Sequence, residues 1–318
     1  MRRALLSLSF AAAVGFAQLD PTGPAAAFLT ITPDARTAAL GGCGVALDSL
    51  EANTYYNPAD ITSGSPMAAT WTHARWFVDV DASIDHFGVA YRPNGRLGFA
   101  ANVQYLQLGL IDVRGERGEL IGVYRMYDVA PSVTAAYRLW PALSAGLTAK
   151  GIYSLVYPAW AFPSGNGRDG LTFACDVGFQ YRPLEALTLG LAVANLGPDL
   201  RYDSSDGGFL PRVARLGFAV RPPIPGPISA TLAGEVSRNL YPAVSNPYPW
   251  HLGTGLELGV VHLAFVRFGY RYGNSLKGLT WGVGLEQRGI RIDVGVDSNI
   301  YEQALPHRSV RFQLSWHL

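Results

Sequence analysis

Between residues 170 and 182 apolar and polar positions alternate without a break. Leu171, Phe173, Cys175, Val177, Phe179 and Tyr181 share one face of an extended strand, and Thr172, Ala174, Asp176, Gly178, Gln180 and Arg182 share the other. The last residues repeat the pattern, with Val310, Phe312, Leu314, Trp316 and Leu318 against Arg311, Gln313, Ser315 and His317. Segments of this kind predict fourteen strands, at 69–79, 83–92, 96–108, 127–140, 142–156, 170–182, 186–196, 212–222, 226–238, 249–258, 262–274, 278–288, 290–298 and 307–317. Single-chain bacterial barrels have an even number of strands, each with one face for lipid and one for a polar lumen.

A soluble β-sandwich also alternates, so the connections have to separate the two architectures. Every second connection is tight: 92–95, 140–142, 183–186, 222–226, 259–261 and 288–289. The others are mostly long, at 109–126, 157–169, 197–211, 239–248 and 299–306, with only the first, near Val80 to Ala82, short. Short periplasmic turns alternating with longer external loops give this rhythm in a transmembrane barrel. The fold class expected is therefore all-β, a 14-stranded antiparallel transmembrane β-barrel over residues 67–318.

The pattern before residue 67 is different. "DARTAAL" predicts a short helix with Asp34 at its start, and the glycines at Gly41, Gly42 and Gly44 stop it with φ above zero and allow close packing. In "YYNPA", Asn57 bonds its own backbone, Pro58 fixes φ, and the residue before proline leaves the helical region. A linker would be polar and flexible. This apolar, small-residue segment needs a surface to pack on, so residues 18–66 are expected to form a hatch, or plug, inside or under the barrel.

The first residues are read separately. Met1-Arg2-Arg3, a short apolar run and the small-residue pattern Gly15-Phe16-Ala17 form a cleavable signal peptide over 1–17, with no cysteine at the cut to carry a lipid anchor. The expected location is the bacterial outer membrane. Composition agrees: 49% hydrophobic, 12% aromatic and only 15% charged residues, well below the quarter usual for a soluble domain. A net charge of +1 argues against a nucleic-acid or polyanion partner, and outer-membrane lipid is the expected surroundings.

Four alternate strands end in an aromatic or branched residue followed by arginine, at Arg92, Arg138, Arg182 and Arg221, and are read as membrane anchors whose guanidinium reaches water or lipid phosphate. Pro131 removes one donor from the fourth strand, which implies a wall bulge or local gap; a lateral opening and a place near the strand's outer end both stay open. Trp160, Phe162, Tyr241, Tyr248 and Trp250 mark external loops suited to partner binding.

The chemistry is sparse. The six histidines have no metal-ligand spacing, and no nucleophile motif is complete, so neither an enzyme nor a cofactor is expected. Asp79, Asp81 and Asp85 cluster at the first external turn, either as a solvated turn or as ligands for a hard cation. Cys175 faces lipid and Cys43 belongs to the hatch, which argues against a bridge.

The stretch "FLTITPDARTAALGGCGVALDSLEANTYYNPADI" resembles the N-terminal signature of the PorV/PorQ family of outer-membrane proteins, on Ala35, Arg36, Gly41, Gly42, Asn57, Pro58 and Ala59. "DSLEA" at 48–52 stands where that family has an acidic-rich run, and the chain ends on Leu318 instead of the commoner phenylalanine. The resemblance implies a barrel similar to FadL-type transporters and a role in type IX secretion, as a cargo-binding or shuttle component working with a translocon, cargo protein or sortase-like partner. The other reading is a FadL-like channel for hydrophobic small molecules such as fatty acids, with a ligand in the lumen and the hatch as gate. The residues themselves support a plugged barrel and leave both functions open.

Overall fold

The computed structural model describes residues 24–48, 52–77, 81–161, 165–202, 207–241, 249–273, 277–299 and 307–318. The signal-peptide reading of residues 1–17 lies outside these. Fourteen strands close a barrel: β1 (Met67–Phe77), β2 (Ala82–Tyr91), β3 (Leu97–Arg114), β4 (Leu120–Trp140), β5 (Leu143–Tyr157), β6 (Arg168–Leu184), β7 (Leu187–Leu196), β10 (Val213–Val220), β11 (Ile228–Asn239), β12 (Trp250–Val260), β13 (Ala264–Tyr272), β14 (Gly278–Gln287), β15 (Ile290–Asn299) and β16 (His307–His317). Each pairs antiparallel with its neighbour in sequence, and β1 closes on β16 from Ala68 opposite His317 to Arg75 opposite Val310. The two-residue strands β8 (Leu200–Arg201) and β9 (Gly207–Gly208) pair with each other in the β7–β10 connection.

The alternation turns this barrel inside out relative to a soluble protein. On β6, Leu171 is 74% and Phe173 68% exposed on the outer face, while Thr172, Asp176 and Gln180 are buried in the lumen. Such an outer face is stable only against hydrocarbon, and closure pairs the backbone groups that water would otherwise satisfy.

One connection differs from expectation. Residues 109–126 form no loop: β3 and β4 run on as a hairpin, turning where the Gly115 amide donates to the Glu119 carbonyl (2.9 Å). Strands of 18 and 21 residues exceed the ~10 needed to cross a bilayer, so this hairpin stands above the wall. Both its faces meet solvent there, which removes the period-2 contrast that marks a strand in sequence.

Residues 24–48 and 52–62 are almost all buried, and they fill the lumen. The helix α1 (Ala35–Ala39) packs on β13 to β16, and the 3-10 turn Pro58–Thr62 packs on β3 to β6. At the outer end, Phe28, Leu29 and Ile31 form an apolar cluster with wall residues such as Ile84 and Ile152 and with Leu200 and Leu210 of the β7–β10 connection. That connection is fastened to the plug, the Ala25 amide donating to the Phe209 carbonyl at 3.0 Å.

Candidate functional site

The hatch is built from short-range signals. Asp34 caps α1 by accepting from the Thr37 amide (2.6 Å), and Gly41 and Gly42 end it at φ 69° and 79°. Gly44 departs from its expected role. It is not among the described positive-φ glycines; a Cβ there would instead meet the Tyr56 ring, so close approach is what requires glycine. Asn57 accepts from the Ala59 amide (3.0 Å) and donates to the carbonyls of Val45 (2.8 Å) and Phe179 (2.9 Å), tying the corner to the hatch and to β6. Pro58 opens the 3-10 turn that follows.

Charged side chains on the inner wall hold this segment. Arg36 meets Glu257 through Nε–Oε2 (2.9 Å) and Nη2–Oε1 (2.7 Å). Glu257 also accepts from Arg267 (2.6 Å), which reaches on to Asp293 (2.7 Å). The Ala35 amide donates to Gln313 (2.9 Å), the Gly41 amide to Thr280 (3.0 Å), and the amides of Gly44 and Val45 to Glu235 Oε2 (2.8 and 2.9 Å).

The four strand-end arginines correct the anchor reading. Arg92 donates to the carbonyls of Ile61 (2.8 Å) and Ser65 (2.6 Å), and Arg138 to that of Thr62 (3.0 Å). Arg182 reaches Asp48 at 3.1 Å, and Arg221 grips the same carboxylate with two bonds of 2.6 Å. The physical reason is parity. The aromatic residue before each of the first three arginines, such as the exposed Tyr91 before Arg92, takes the outer face, so the arginine takes the inner one. They clasp the hatch from the end of the barrel that carries the short turns.

Pro131 lies mid-strand on β4, because that strand begins at Leu120, and its ring is on the outer face. Pairing with β5 skips Ala130 and Pro131 between Val129 opposite Tyr153 and Ser132 opposite Lys150, with the same register on both sides. The ladder is interrupted there without a bulge. Trp160 is exposed and packs edge-on against Tyr124, Trp250 lies under the Arg238 guanidinium, and Tyr241 stacks on Phe209. Phe162, Tyr248 and Asp79 lie outside the described residues. Asp85 pairs with His73 (2.9 Å), and no group of three metal-ligating side chains occurs among the described residues. Cys43 is a buried free thiol and Cys175 an exposed one.

Sequence reasoning missed the central feature, a cavity of about 160 Å³ between the hatch and the wall of β10 to β13. It is lined by Leu29, Tyr55 and Tyr56 of the hatch and by Arg215, His251 and Arg271 of the wall, and it extends to Asn239 and Tyr241 at the outer strand end. Burial pushes both tyrosine hydroxyls above their ordinary pKa, so they stay protonated, and Tyr56 donates to Thr32 (3.0 Å). Leu29 and Tyr55 also line a smaller cavity of about 30 Å³, bounded by His86, Lys150 and Asp176, so these two hatch residues stand between the cavities. Strand alternation puts Arg215 and Arg271 on the inner face, but nothing local in the sequence places them opposite Tyr55 and Tyr56.

Solved structures share this architecture. The toluene transporter TbuX of Ralstonia pickettii superposes with a TM-score of 0.58 at 15% identity, over 93% of this chain and 98% of that one. The monoaromatic hydrocarbon channel CymD gives 0.61 at 12% identity, over 94% and 99%. A FadL homologue of Pseudomonas aeruginosa gives 0.53 at 12% identity, over 90% and 98%. The chain has the fold of these transporters. No protein-family model matches the sequence, and no curated protein does.

Proposed function

We propose that the protein is a non-enzymatic outer-membrane channel for small hydrophobic molecules, with the lumenal hatch as its gate. The observation that carries this reading is the cavity between hatch and wall, which reaches the outer strand ends and lies beside the apolar cluster of Phe28, Leu29 and Ile31. A solute leaving the external face meets apolar surface first and then a chamber of molecular size. The fold shared with transporters of toluene and other monoaromatic hydrocarbons supports the same reading.

The secretion reading rests on the signature around Ala35, Arg36 and Asn57 alone, and no secretion protein is among the structural neighbours described above. Two of the loop aromatics it relies on, Phe162 and Tyr248, lie outside the described residues. Affinity purification from native outer membranes in mild detergent, with mass spectrometry of proteins and small molecules, separates the two. Recovery of apolar small molecules without a translocon supports the channel; stoichiometric recovery of a large translocon barrel or cargo protein overturns it.

A further inference from the structure

The chemistry of the lumen cavity is more specific than hydrophobic transport requires. Arg215 projects from β10 into its lining and is only 7% exposed, and its Nη1 has no hydrogen-bond acceptor. Its guanidinium lies over the rings of Tyr55 and Tyr56, 5.0 and 5.4 Å from their centroids. The single carboxylate of the lining, Glu235, stands 3.7 Å from Arg215 Nε, and its other oxygen is taken by the Gly44 and Val45 amides. A second cation, Arg271, lines the floor near Gly41 and Gly42. Arg271 is paired with Asp297 (3.3 Å), so the open guanidinium donor of this lining is Arg215 Nη1.

A buried donor without an acceptor is costly, and a planar carboxylate is the partner that fits a guanidinium fork. Size sets the rest of the ligand. A cavity of about 150 Å³ holds one benzene ring, and the 160 Å³ here is close to that and too small for a long acyl chain. Apolar surface for such a ring comes from Leu29 and Val213, beside the two tyrosines.

We propose that this cavity is a binding site for small monocyclic aromatic carboxylates, with the carboxylate on Arg215 and the ring against Tyr55 and Tyr56. The assignment rests on the channel reading and names, among its small hydrophobic solutes, monocyclic aromatic acids as those the cavity holds most tightly. Arg215 is then the specificity-determining residue.

The test is isothermal titration of the full-length protein in detergent micelles with benzoate and with benzyl alcohol, its neutral counterpart. The wild type is expected to bind benzoate at least about tenfold more tightly than benzyl alcohol, a difference of one charge-assisted hydrogen bond. Arg215→Gln is expected to lose that preference while keeping benzyl alcohol binding, and Arg215→Lys to keep part of it. Heat-modifiable migration on gels checks that each variant barrel is folded, and the wild-type comparison decides the matter if Arg215→Gln is not. Equal binding of the two compounds by the wild type, or no benzoate binding, overturns the proposal. Binding is read without transport. Arg215-dependent benzoate binding in a protein that takes up no solute would leave the site standing and remove the channel reading.

Discussion

The Arg36 guanidinium lies against the Glu257 carboxylate with both of its bonds made, across 221 residues of sequence. Glu257 is also the acceptor for Arg267 and stands 3.7 Å from Arg291, so one wall carboxylate compensates three buried cations, one of them on the hatch. The hatch is held to the wall chiefly by side chains that can be released without breaking the barrel.

Glu257→Gln is expected to cost more than Arg36→Met. The first leaves three guanidinium groups without their shared carboxylate, and removal of one partner of a buried pair typically costs about 3–5 kcal/mol. The second leaves Glu257 still paired with Arg267. Hydrogen exchange of the amides of Ala35 to Leu40 should rise in both variants and more in Glu257→Gln. Equal exchange in both would contradict the shared role of Glu257.

The arginine clasp at the short-turn end makes a separate prediction. Asp48 is the common acceptor of Arg182 and Arg221, so Asp48→Asn frees the lower end of the hatch while the wall ladder stays intact. Planar-bilayer recordings should show more frequent large-conductance openings than the wild type. An unchanged record would mean that Arg92 and Arg138, which hold backbone carbonyls, suffice.

Gly44→Ala places a methyl group against the Tyr56 ring. Overpacking of this kind costs about 1–3 kcal/mol, and the displaced ring would also lose its bond to Thr32. The change should be rescued in part by Tyr56→Ala, giving a non-additive double-mutant cycle in urea unfolding.

Cys43 reports on hatch position. Burial pushes its thiol well above the ordinary cysteine pKa, and the nearby Glu235 adds to the shift. A raised pKa means less thiolate at any given pH, so in a Cys175→Ser background a water-soluble maleimide should react at pH 7 at least about tenfold more slowly than with a free thiol. Asp48→Asn should raise that rate. Wild-type labelling as fast as a free thiol would contradict the packed hatch.

Much of the barrel was legible because lipid and lumen impose a period of two on every crossing. The expected 278–288 and 307–317 became Gly278–Gln287 and His307–His317. The outer parts of β3 and β4 were hidden because solvent on both faces erases that contrast. Asp34 and Asn57 could be read locally, since their partners lie two or three residues away. Arg92, Arg138, Arg182 and Arg221 were visible but misread, their direction being fixed by strand parity and their partners by the hatch. The cavity was not legible: Tyr55 and Arg215 meet only after closure, which no local pattern encodes.

The central claim, a channel gated by its hatch, is tested most directly by uptake. Thr62 on the hatch and Ser144 on β5 have side-chain oxygens 2.8 Å apart, so cysteines at both positions place two thiols for a cross-link. Initial uptake of a labelled monoaromatic hydrocarbon is measured in cells lacking their own channel for it. The wild type should raise the rate above that of empty-vector cells, and the oxidised Thr62→Cys/Ser144→Cys variant should fall to the empty-vector rate and recover on reduction. Wild-type uptake no faster than empty vector, or uptake indifferent to the cross-link, would contradict the account.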